Sequence, residues 1–307
     1  MQKELLVTGS SGFFGSALIN RALKRGWFVK GTARHSLGIL SEQFGVDINY
    51  LDLSKDTISI PKANYIVHCA TANEIKSLDL FKSIDSTIKG TKKLIEYCLE
   101  NRFEHFIYIS TVGIYGRELN GEINENSPFQ ANSNYALNHY YAEKICERYA
   151  SRNFKVTIIR LSNVYGIPSV STVDRNTLVP ICFVVNLLRK GVVELNSSGL
   201  QQRDFINQIE ASDIVLNSLN NQKSNFDIIN ASSGKSYSII EIAKIACQEY
   251  SKFSGKVGKI TSMPDKNNYE NNYSFSSKAY KSKDKNLEYL SINETISELF
   301  KIYNALI

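Results

Sequence analysis

The sequence predicts an α/β fold in which a doubly wound parallel sheet carries helices on both faces. Two observations predict it. Short apolar runs alternate with longer helical patterns through the first half of the 307 residues, and a glycine-rich turn joins the first run to the first helix. The predicted strands lie at residues 5–7, 27–33, 65–70, 106–110 and 156–160. The predicted helices of this half lie at residues 16–25, 84–100 and 135–152. Such alternation is typical of parallel strands joined by helical crossovers.

The alternation weakens after residue 166, which predicts a smaller, C-terminal substrate-binding lobe. This part contains a helical pattern at 178–190, an Asn-, Lys- and Ser-rich stretch at 264–285 and a closing helical pattern at 292–305. We therefore expect a sheet domain at residues 1–166 and a lobe made mainly of residues 167–307. A segment at about 203–230 is expected to return to the sheet.

Composition excludes several classes of protein. Hydrophobic residues make up 43% and charged residues 21%, which is typical of a globular protein with a sizeable core. The net charge of +6 comes from scattered lysines and arginines, apart from a Lys-rich stretch at 278–285, so no nucleic-acid partner is expected. The five cysteines are far apart and predict neither a disulfide framework nor a metal site. With no apolar signal core and no run of membrane-spanning length, we expect a cytoplasmic protein without a membrane partner.

The glycine-rich turn at residues 8–15 reads Thr-Gly-Ser-Ser-Gly-Phe-Phe-Gly. Three glycines at such a junction permit a tight turn, close approach of the backbone to a phosphate, and close packing of helix on strand. The N-terminus of the following helix offers unpaired N–H groups to a pyrophosphate. The turn therefore predicts a dinucleotide site, and the residues expected to form it are Gly9, Ser11, Gly12, Phe13, Phe14 and Gly15.

This turn resembles the TGxxGFxG segment of the extended short-chain dehydrogenase/reductase superfamily, within its nucleotide-sugar-modifying NAD-dependent epimerase/dehydratase family. The resemblance implies a Rossmann-type sheet and a nicotinamide cofactor. Asp52-Leu53 is similar to the family's pair beside the adenine, and the segment ending in Ala70 is similar to its strand beside the cofactor. His68, in that strand, is interpreted as a packed histidine rather than a catalytic one.

The second strand indicates which dinucleotide is preferred. Ala33 ends this strand where an NAD enzyme carries an acidic residue for the ribose hydroxyls, and Arg34 follows it. Because an arginine can pair with a 2′-phosphate, the sequence favours NADP, with NAD as the alternative.

The catalytic residues are predicted from the same resemblance. The segment 110–116 is similar to the family's serine/threonine segment and places the catalytic hydroxyl at Thr111. Two tyrosines compete for the proton-transfer role: Tyr140 has Lys144 four residues later, whereas Tyr135 has His139 there. Tyr135 lies 24 residues after Thr111 and matches the family's helix better, so it is preferred.

That choice makes His139 a departure from the family, which carries lysine at this position. A lysine would bond the ribose of the nicotinamide and supply a fixed charge. A histidine titrates near neutrality, so we expect its electrostatic help to depend on pH. A catalytically weak NADP-binding protein is therefore an alternative.

Later segments indicate a nucleotide-sugar substrate. Residues 160–166 are similar to an RLxNVYG segment, residues 199–206 to a segment containing Arg-Asp-Phe-Ile, and residues 230–243 to a third segment of nucleotide-sugar enzymes. The resemblance implies that Asn163, Arg203 and Thr111 contact the substrate. For Arg203, the resemblance implies binding of the diphosphate, and the alternative is a structural ion pair with Asp204 or Glu210.

The residues at positions 112 and 113 limit the types of reaction that we expect. The family's 4,6-dehydratases carry an Asp-Glu pair directly after the catalytic threonine, but Val112 and Gly113 stand here. We therefore expect a 4-epimerase or a 4-ketoreductase and not a dehydratase; a non-sugar carbonyl reductase is an alternative.

The family resemblance also implies a homodimer.

Overall fold

The computed structural model describes residues 4–55, 57–116, 119–170, 176–264, 273–277 and 289–306. Its strands, in chain order, are β1 (Glu4–Thr8), β2 (Phe28–Ala33), β3 (Ile48–Tyr50), β4 (Tyr65–His68), β5 (His105–Thr111), β6 (Gly121–Ile123), β7 (Lys155–Leu161), β8 (Asn163–Tyr165), β9 (Val192–Leu195), β10 (Gln202–Asn207), β11 (Phe226–Ala231), β12 (Ser236–Ser238), β13 (Lys259–Ser262) and β14 (Tyr273–Phe275).

The α-helices, in the same order, are α1 (Phe13–Lys24), α2 (Leu37–Phe44), α3 (Leu80–Ile84), α4 (Gly90–Glu100), α5 (Asn134–Tyr149), α6 (Val179–Lys190), α7 (Gln208–Asn221), α8 (Ile239–Ser254) and α9 (Ile292–Asn304). A π-helical turn at Asp85–Lys89 joins α3 to α4, and 3₁₀ turns lie at Lys76–Leu78 and Val112–Tyr115.

Seven strands form the central sheet in the order β11-β7-β5-β4-β1-β2-β3, and every pairing within it is parallel. The predicted α/β class with a parallel sheet is therefore confirmed. The chain runs outward from β1 through β2 and β3, then returns to the other side of β1 with β4. This reversal places a crevice at the carboxyl ends of β1 and β4, which is where ligands bind in open α/β sheets.

The strand β1 is buried on both faces because helices cover both sides of the sheet. Leu5 and Val7 belong to the apolar cluster that includes α1, whereas Leu6 packs into the opposite cluster with residues of α4 and α5. This explains why β1 is a continuous apolar run in the sequence rather than an alternating one. The helix α7 packs against α1 on the first face.

The second half of the chain contributes to the sheet and to smaller ones. β11 pairs with β7 at the edge of the central sheet, whereas β10 pairs with β8 and β12 in a three-stranded sheet. α6, α8 and α9 pack together beside the two-stranded pair of β9 and β13. The division at residue 166 stays a prediction.

Helix boundaries differ from the predicted ones for local reasons. α1 begins three residues early, at Phe13, because Gly12 takes the extended N-cap conformation. The predicted helix at 84–100 is interrupted by the π-helical turn before α4. The Lys-rich stretch at 278–285 and most of the stretch at 264–285 lie outside the described residues, although β14 falls within the latter. Among the described helices, none has the length and hydropathy to span a membrane.

Candidate cofactor and substrate cleft

A cleft of about 700 Å³ opens at the carboxyl end of the central sheet. This volume is in the range of small-molecule and cofactor sites. All the residues predicted for the site line it: Gly9, Ser11, Gly12, Phe13, Phe14, Gly15, Arg34, Asp52, Leu53, Ala70, Thr111, Tyr135, His139, Asn163 and Arg203. The fold therefore brings together residues from positions 9 to 203, and their individual roles stay predictions.

The glycine-rich turn forms one end of the cleft. Gly9 has φ of 71° and its carbonyl accepts a hydrogen bond of 2.8 Å from the N–H of Gly12. A Cβ on Gly15 would lie 2.3 Å from the carbonyl oxygen of Gly9, so that position requires glycine. No side chain caps the N-terminus of α1 and its first turn carries no acidic residue, which leaves this helix end suited to a phosphate.

The residues predicted to hold the adenosine follow β2 and β3 in the chain. Arg34 is exposed, one residue beyond the end of β2. The Asp52 carboxylate accepts hydrogen bonds from the backbone N–H (3.0 Å) and the hydroxyl (2.7 Å) of Ser54. Partial burial raises the pKa of Asp52, but the Ser54 hydrogen bonds and the charge of Arg34 outweigh it and lower the pKa below its ordinary value. Asp52 is therefore ionised at neutral pH.

Thr111 and Tyr135 lie at the opposite end of the cleft. Thr111 is the last residue of β5, and its hydroxyl accepts a hydrogen bond of 3.0 Å from the N–H of Gly113. Tyr135 lies in the first turn of α5, which begins at a Ser133 cap that accepts from the N–H of Ala136. Thus a strand end and a helix start present the two hydroxyls to one cavity.

The geometry separates the two competing tyrosines. Tyr140 is not among the cleft residues; its ring stacks on Phe129 with centroids 3.7 Å apart. Lys144 forms an ion pair of 2.9 Å with Glu147 on the exposed side of α5. The Tyr140–Lys144 pair therefore points away from the cleft, and the geometry favours Tyr135.

The expectation that His139 titrates near neutrality is wrong. His139 is only 2% exposed, and burial lowers its pKa to about 3. Its Nδ1 lies 2.9 Å from the Tyr108 hydroxyl, while its Nε2 is buried with no hydrogen-bond partner among the described residues. The ring therefore stays neutral at physiological pH, because desolvation penalises the imidazolium.

His68 is a packed histidine, as predicted. It is fully buried between two threonines, with Nδ1 2.8 Å from the Thr8 hydroxyl and Nε2 3.1 Å from the Thr91 hydroxyl. Burial and the neighbouring His139 lower its pKa to about 3. The Thr8 hydroxyl also accepts from the backbone N–H groups of Cys69 and Ala70, so this cluster fixes β4 against the glycine-rich turn.

The predicted substrate residues come from the small sheet of β8 and β10. The Asn163 amide donates to the backbone carbonyl of Asp204 at 3.0 Å, and the Arg203 guanidinium donates to the carbonyl of Gln202 at 2.7 Å. The Asp204 carboxylate is buried and accepts from the backbone N–H groups of Ser233 (3.1 Å) and Gly234 (2.8 Å). The Asp204 carboxylate is thus hydrogen-bonded by backbone N–H groups rather than depending on Arg203 for a partner.

A buried polar network lies beneath this end of the cleft. Arg160 forms an ion pair of 2.8 Å with Glu143, which also accepts a hydrogen bond from Ser110. Arg160 donates to the Tyr115 hydroxyl at 2.8 Å, and that hydroxyl donates to the Asn230 side chain at 2.7 Å. The network ties β5, β7, β11 and α5 together. Arg160 and Asn230, two residues of the motif segments, therefore have structural partners and do not line the cleft.

Sequence reasoning missed other parts of the wall. The cleft is also lined by the loop at 71–76 after β4, by residues 177–180 at the start of α6, and by Tyr273 and Phe275 of β14. The β14 residues lie in the Asn-, Lys- and Ser-rich stretch, where no periodic pattern indicated a strand. In the described part of the chain, no cluster of three His, Cys, Asp or Glu side chains suits a metal ion.

Comparison with protein families finds a match over residues 5–232 to the model of the NAD dependent epimerase/dehydratase family. A UDP-N-acetyl-alpha-D-glucosaminuronate decarboxylase of Bacillus cytotoxicus is 25% identical over 278 residues, covering 86% of this chain and 84% of the relative. A UDP-glucose 4-epimerase of Vibrio cholerae is 25% identical, covering 80% and 75%. The human dTDP-D-glucose 4,6-dehydratase is 29% identical over 187 residues, which is 60% of this chain and 51% of that protein.

Solved structures are similar over almost the whole chain. The UDP-glucose 4-epimerase of Thermotoga maritima, with UDP-glucose, has a TM-score of 0.79 and 19% identity, covering 99% of both chains. The UDP-glucuronic acid 4-epimerase of Bacillus cereus, with NAD, has a TM-score of 0.78 and 20% identity, covering 99% of this chain and 97% of that one. These similarities establish the fold.

Proposed function

The chain belongs to the NAD dependent epimerase/dehydratase family, and from that premise we propose that it is a nucleotide-sugar oxidoreductase acting at carbon 4 of the sugar. The observation that carries the proposal is the meeting of four groups in one cleft: the glycine-rich turn, Thr111, Tyr135 and Arg203. A phosphate-binding turn, a pair of hydroxyls and an arginine are what hydride transfer on a diphosphate-linked alcohol or ketone requires.

In this proposal the glycine-rich turn and the N-terminus of α1 hold the pyrophosphate of the dinucleotide. The Nε2 of His139 is buried and has no hydrogen-bond partner among the described residues, which supports a ligand at the other end that accepts a hydrogen bond from it. When bound, the nicotinamide supplies or accepts the hydride. Tyr135 transfers the proton at the sugar oxygen, Thr111 hydrogen-bonds that oxygen, and Arg203 with Asn163 holds the nucleotide diphosphate and sugar.

We favour net reduction of a 4-keto sugar. A neutral His139 provides a hydrogen bond but none of the fixed charge that a lysine would add beside Tyr135. A tyrosine that keeps its proton serves as a general acid, which is the role that reduction requires. A 4-epimerase is the second candidate, and it is supported by the relative in Vibrio cholerae.

We do not favour dehydration, although dehydratases are among the relatives. Val112 and Gly113 both line the cleft directly after Thr111, and neither side chain transfers a proton. Loss of water requires an acid and a base beside the sugar.

For the dinucleotide we propose NADP, with NAD as the alternative. Arg34 is exposed at the cleft edge beside the ionised Asp52, where a guanidinium suits a 2′-phosphate. Arg34→Ala should weaken NADPH binding roughly tenfold while leaving NADH binding within twofold, as measured by fluorescence titration. Equal binding of both by the unaltered protein would instead assign NAD as an equivalent cofactor.

The whole proposal is tested by thermal shift with UDP-, dTDP- and GDP-sugars, followed by product analysis. A ketoreductase consumes one NADPH per 4-keto sugar, whereas an epimerase interconverts two sugars without net consumption. No shift with any nucleotide sugar, together with reduction of simple ketones, would make the protein a non-sugar carbonyl reductase. Dinucleotide binding without turnover of any of these would make it a catalytically weak binding protein.

The homodimer stays a prediction. Large side chains are exposed in the 3₁₀ turn before α3, on α3 and on α5, namely Leu78, Phe81 and Tyr141. The family resemblance implies a contact through the helical segments at 84–100 and 135–150, and Tyr141 lies in the second of these.

A further inference from the structure

Tyr108 and His139 form a buried pair behind the proposed catalytic end of the cleft. Tyr108 lies in the middle of β5 and is fully buried, and His139 lies one helical turn after Tyr135 on α5. The Tyr108 hydroxyl and the His139 Nδ1 are 2.9 Å apart, and the two ring centroids are 5.7 Å apart. No motif in the sequence connects these residues.

The direction of this hydrogen bond follows from the number of protons available. A phenol has one O–H, and a neutral imidazole has one N–H that sits on either nitrogen. Burial raises the pKa of Tyr108 well above its ordinary value, so the phenol keeps its proton. If Nδ1 donated to Tyr108, the buried phenol proton would need another acceptor, which is unfavourable when none is supplied. Donation from Tyr108 to Nδ1 satisfies both groups and leaves the ring hydrogen on Nε2.

The Nε2 atom is the part of this pair that has no hydrogen-bond partner among the described residues. It is buried, it belongs to a residue that lines the cleft, and no described residue accepts a hydrogen bond from it. The neighbouring Tyr135 contacts the His139 ring edge-on, with centroids 4.6 Å apart, but does not bond this nitrogen. A bound molecule can therefore supply the acceptor for Nε2–H.

The ionisable groups around the pair come from four elements. Tyr135, Glu143 and Cys146 lie on α5, Tyr108 on β5 and His68 on β4. The Glu143 carboxylate is paired with Arg160 of β7.

We propose that Tyr108 is a positioning residue that holds His139 as a neutral Nε2–H donor, aimed at an oxygen acceptor of the bound dinucleotide. The proposal rests on the proposed function for its ligand. It gives the site a hydrogen-bond donor whose presence does not change with pH across the neutral range. A lysine would combine the same donor with a charge.

The test is nitrogen NMR of protein labelled with ¹⁵N-histidine, without and with NADPH. The sequence has four histidines, and a His139→Gln sample assigns the signal. We expect a protonated Nε2, an unprotonated Nδ1 and no titration from pH 5.5 to 8. We also expect the Nε2 signal to move on NADPH saturation. A protonated Nδ1, a titration midpoint within that range, or an Nε2 signal unmoved at saturation would overturn the proposal.

Tyr108→Phe removes the hydroxyl that fixes the ring. We expect both imidazole tautomers to be populated in this variant and NADPH affinity to fall roughly two- to tenfold, the range of one neutral hydrogen bond. The matched control is Tyr97→Phe, since the Tyr97 hydroxyl donates to the Ile60 carbonyl at 3.3 Å and does not line the cleft. It should leave both measurements unchanged. An unaltered tautomer in Tyr108→Phe would contradict the positioning role.

The two hypotheses fail in different ways. If neither NADPH nor NADH binds in a fluorescence titration, the proposed function fails, and the ligand part of this inference is overturned with it. The tautomer of the unliganded protein still decides the role of Tyr108, because it is observed without any ligand or turnover.

Discussion

The two ends of the cleft are built by different means. The glycine-rich end is made of backbone: a left-handed glycine, a close approach of Gly15 to the carbonyl of Gly9, and the uncapped N-terminus of α1. The opposite end is made of side chains from β5 and α5, with Tyr108 and His139 31 residues apart in sequence. The first end depends on local conformation, and the second depends on how a strand and a helix pack.

The two ends also share one feature, a buried neutral histidine. His68 lies below the glycine-rich end with both ring nitrogens hydrogen-bonded, whereas His139 has one nitrogen bonded and one buried without a hydrogen-bond partner among the described residues. The difference indicates that His68 is complete as a structural group, while His139 is completed only by a ligand.

The largest expected effect comes from a substitution at the end of the cleft that is built from side chains of β5 and α5. Tyr135→Phe removes the proposed proton donor and should lower kcat by about 10²- to 10⁴-fold, the range of general acid catalysis. Dinucleotide binding at the glycine-rich end should change less than threefold. Steady-state kinetics on the substrate found by screening measures the first, and fluorescence titration the second. Tyr140→Phe is the control and should keep kcat within twofold; the reverse pattern would assign the role to Tyr140.

The next effect tests the feature that both ends share. The pKa of His68 and of His139 is about 3 in the folded protein, against an ordinary value near 6.5 in the unfolded chain. Between about pH 3 and pH 6.5 the unfolded chain binds more protons than the folded protein does. The contribution of the two histidines to stability is therefore complete above about pH 6.5 and is lost as the pH falls. Each histidine should cost about 2 kcal/mol of unfolding free energy between pH 7 and pH 5, about 4 kcal/mol together. Urea unfolding at several pH values measures it.

Single substitutions separate the two histidines in that experiment. His68→Gln and His139→Gln should each remove about 2 kcal/mol of the change in unfolding free energy between pH 7 and pH 5. A pH dependence that stays whole in either buried variant would show that the histidine concerned does not titrate as the structure indicates.

The smallest expected effect comes from a substitution in the glycine-rich turn. In Gly15→Ala the new Cβ would meet the Gly9 carbonyl at 2.3 Å, so the turn must shift, at a cost of about 1–3 kcal/mol in stability. NADPH affinity should fall at least tenfold, since the shifted N–H groups no longer match the pyrophosphate. Thermal unfolding and fluorescence titration measure the two quantities.

Gly38→Ala is the matched control for that substitution. Gly38 lies in α2 with open space around the Cβ position, so alanine should be neutral or slightly stabilising there. Unchanged NADPH affinity in Gly15→Ala would mean that the turn does not hold the dinucleotide.

Several elements of the site could be predicted from short stretches of sequence. The glycine-rich turn, Thr111 at a strand end and the helix containing Tyr135 are local patterns, and the structure places them at one cleft. The charge state of His139 was not readable, because a histidine in a sequence carries its ordinary pKa until its burial is known. β14 was missed for a related reason: three residues in a polar stretch form a strand only because β6 offers a partner.

The sequence by itself determined the class of fold, the family and the motif residues of the cleft, because each follows from local periodicity or from a motif with a short span. The sequence preferred Tyr135 over Tyr140, and the tertiary structure supplied the physical reason: Tyr140 stacks on Phe129 and does not line the cleft, whereas Tyr135 does. It also decided that His139 is neutral and oriented by Tyr108. Burial and hydrogen bonding between distant segments set proton positions, and neither property is contained in any short stretch of the chain.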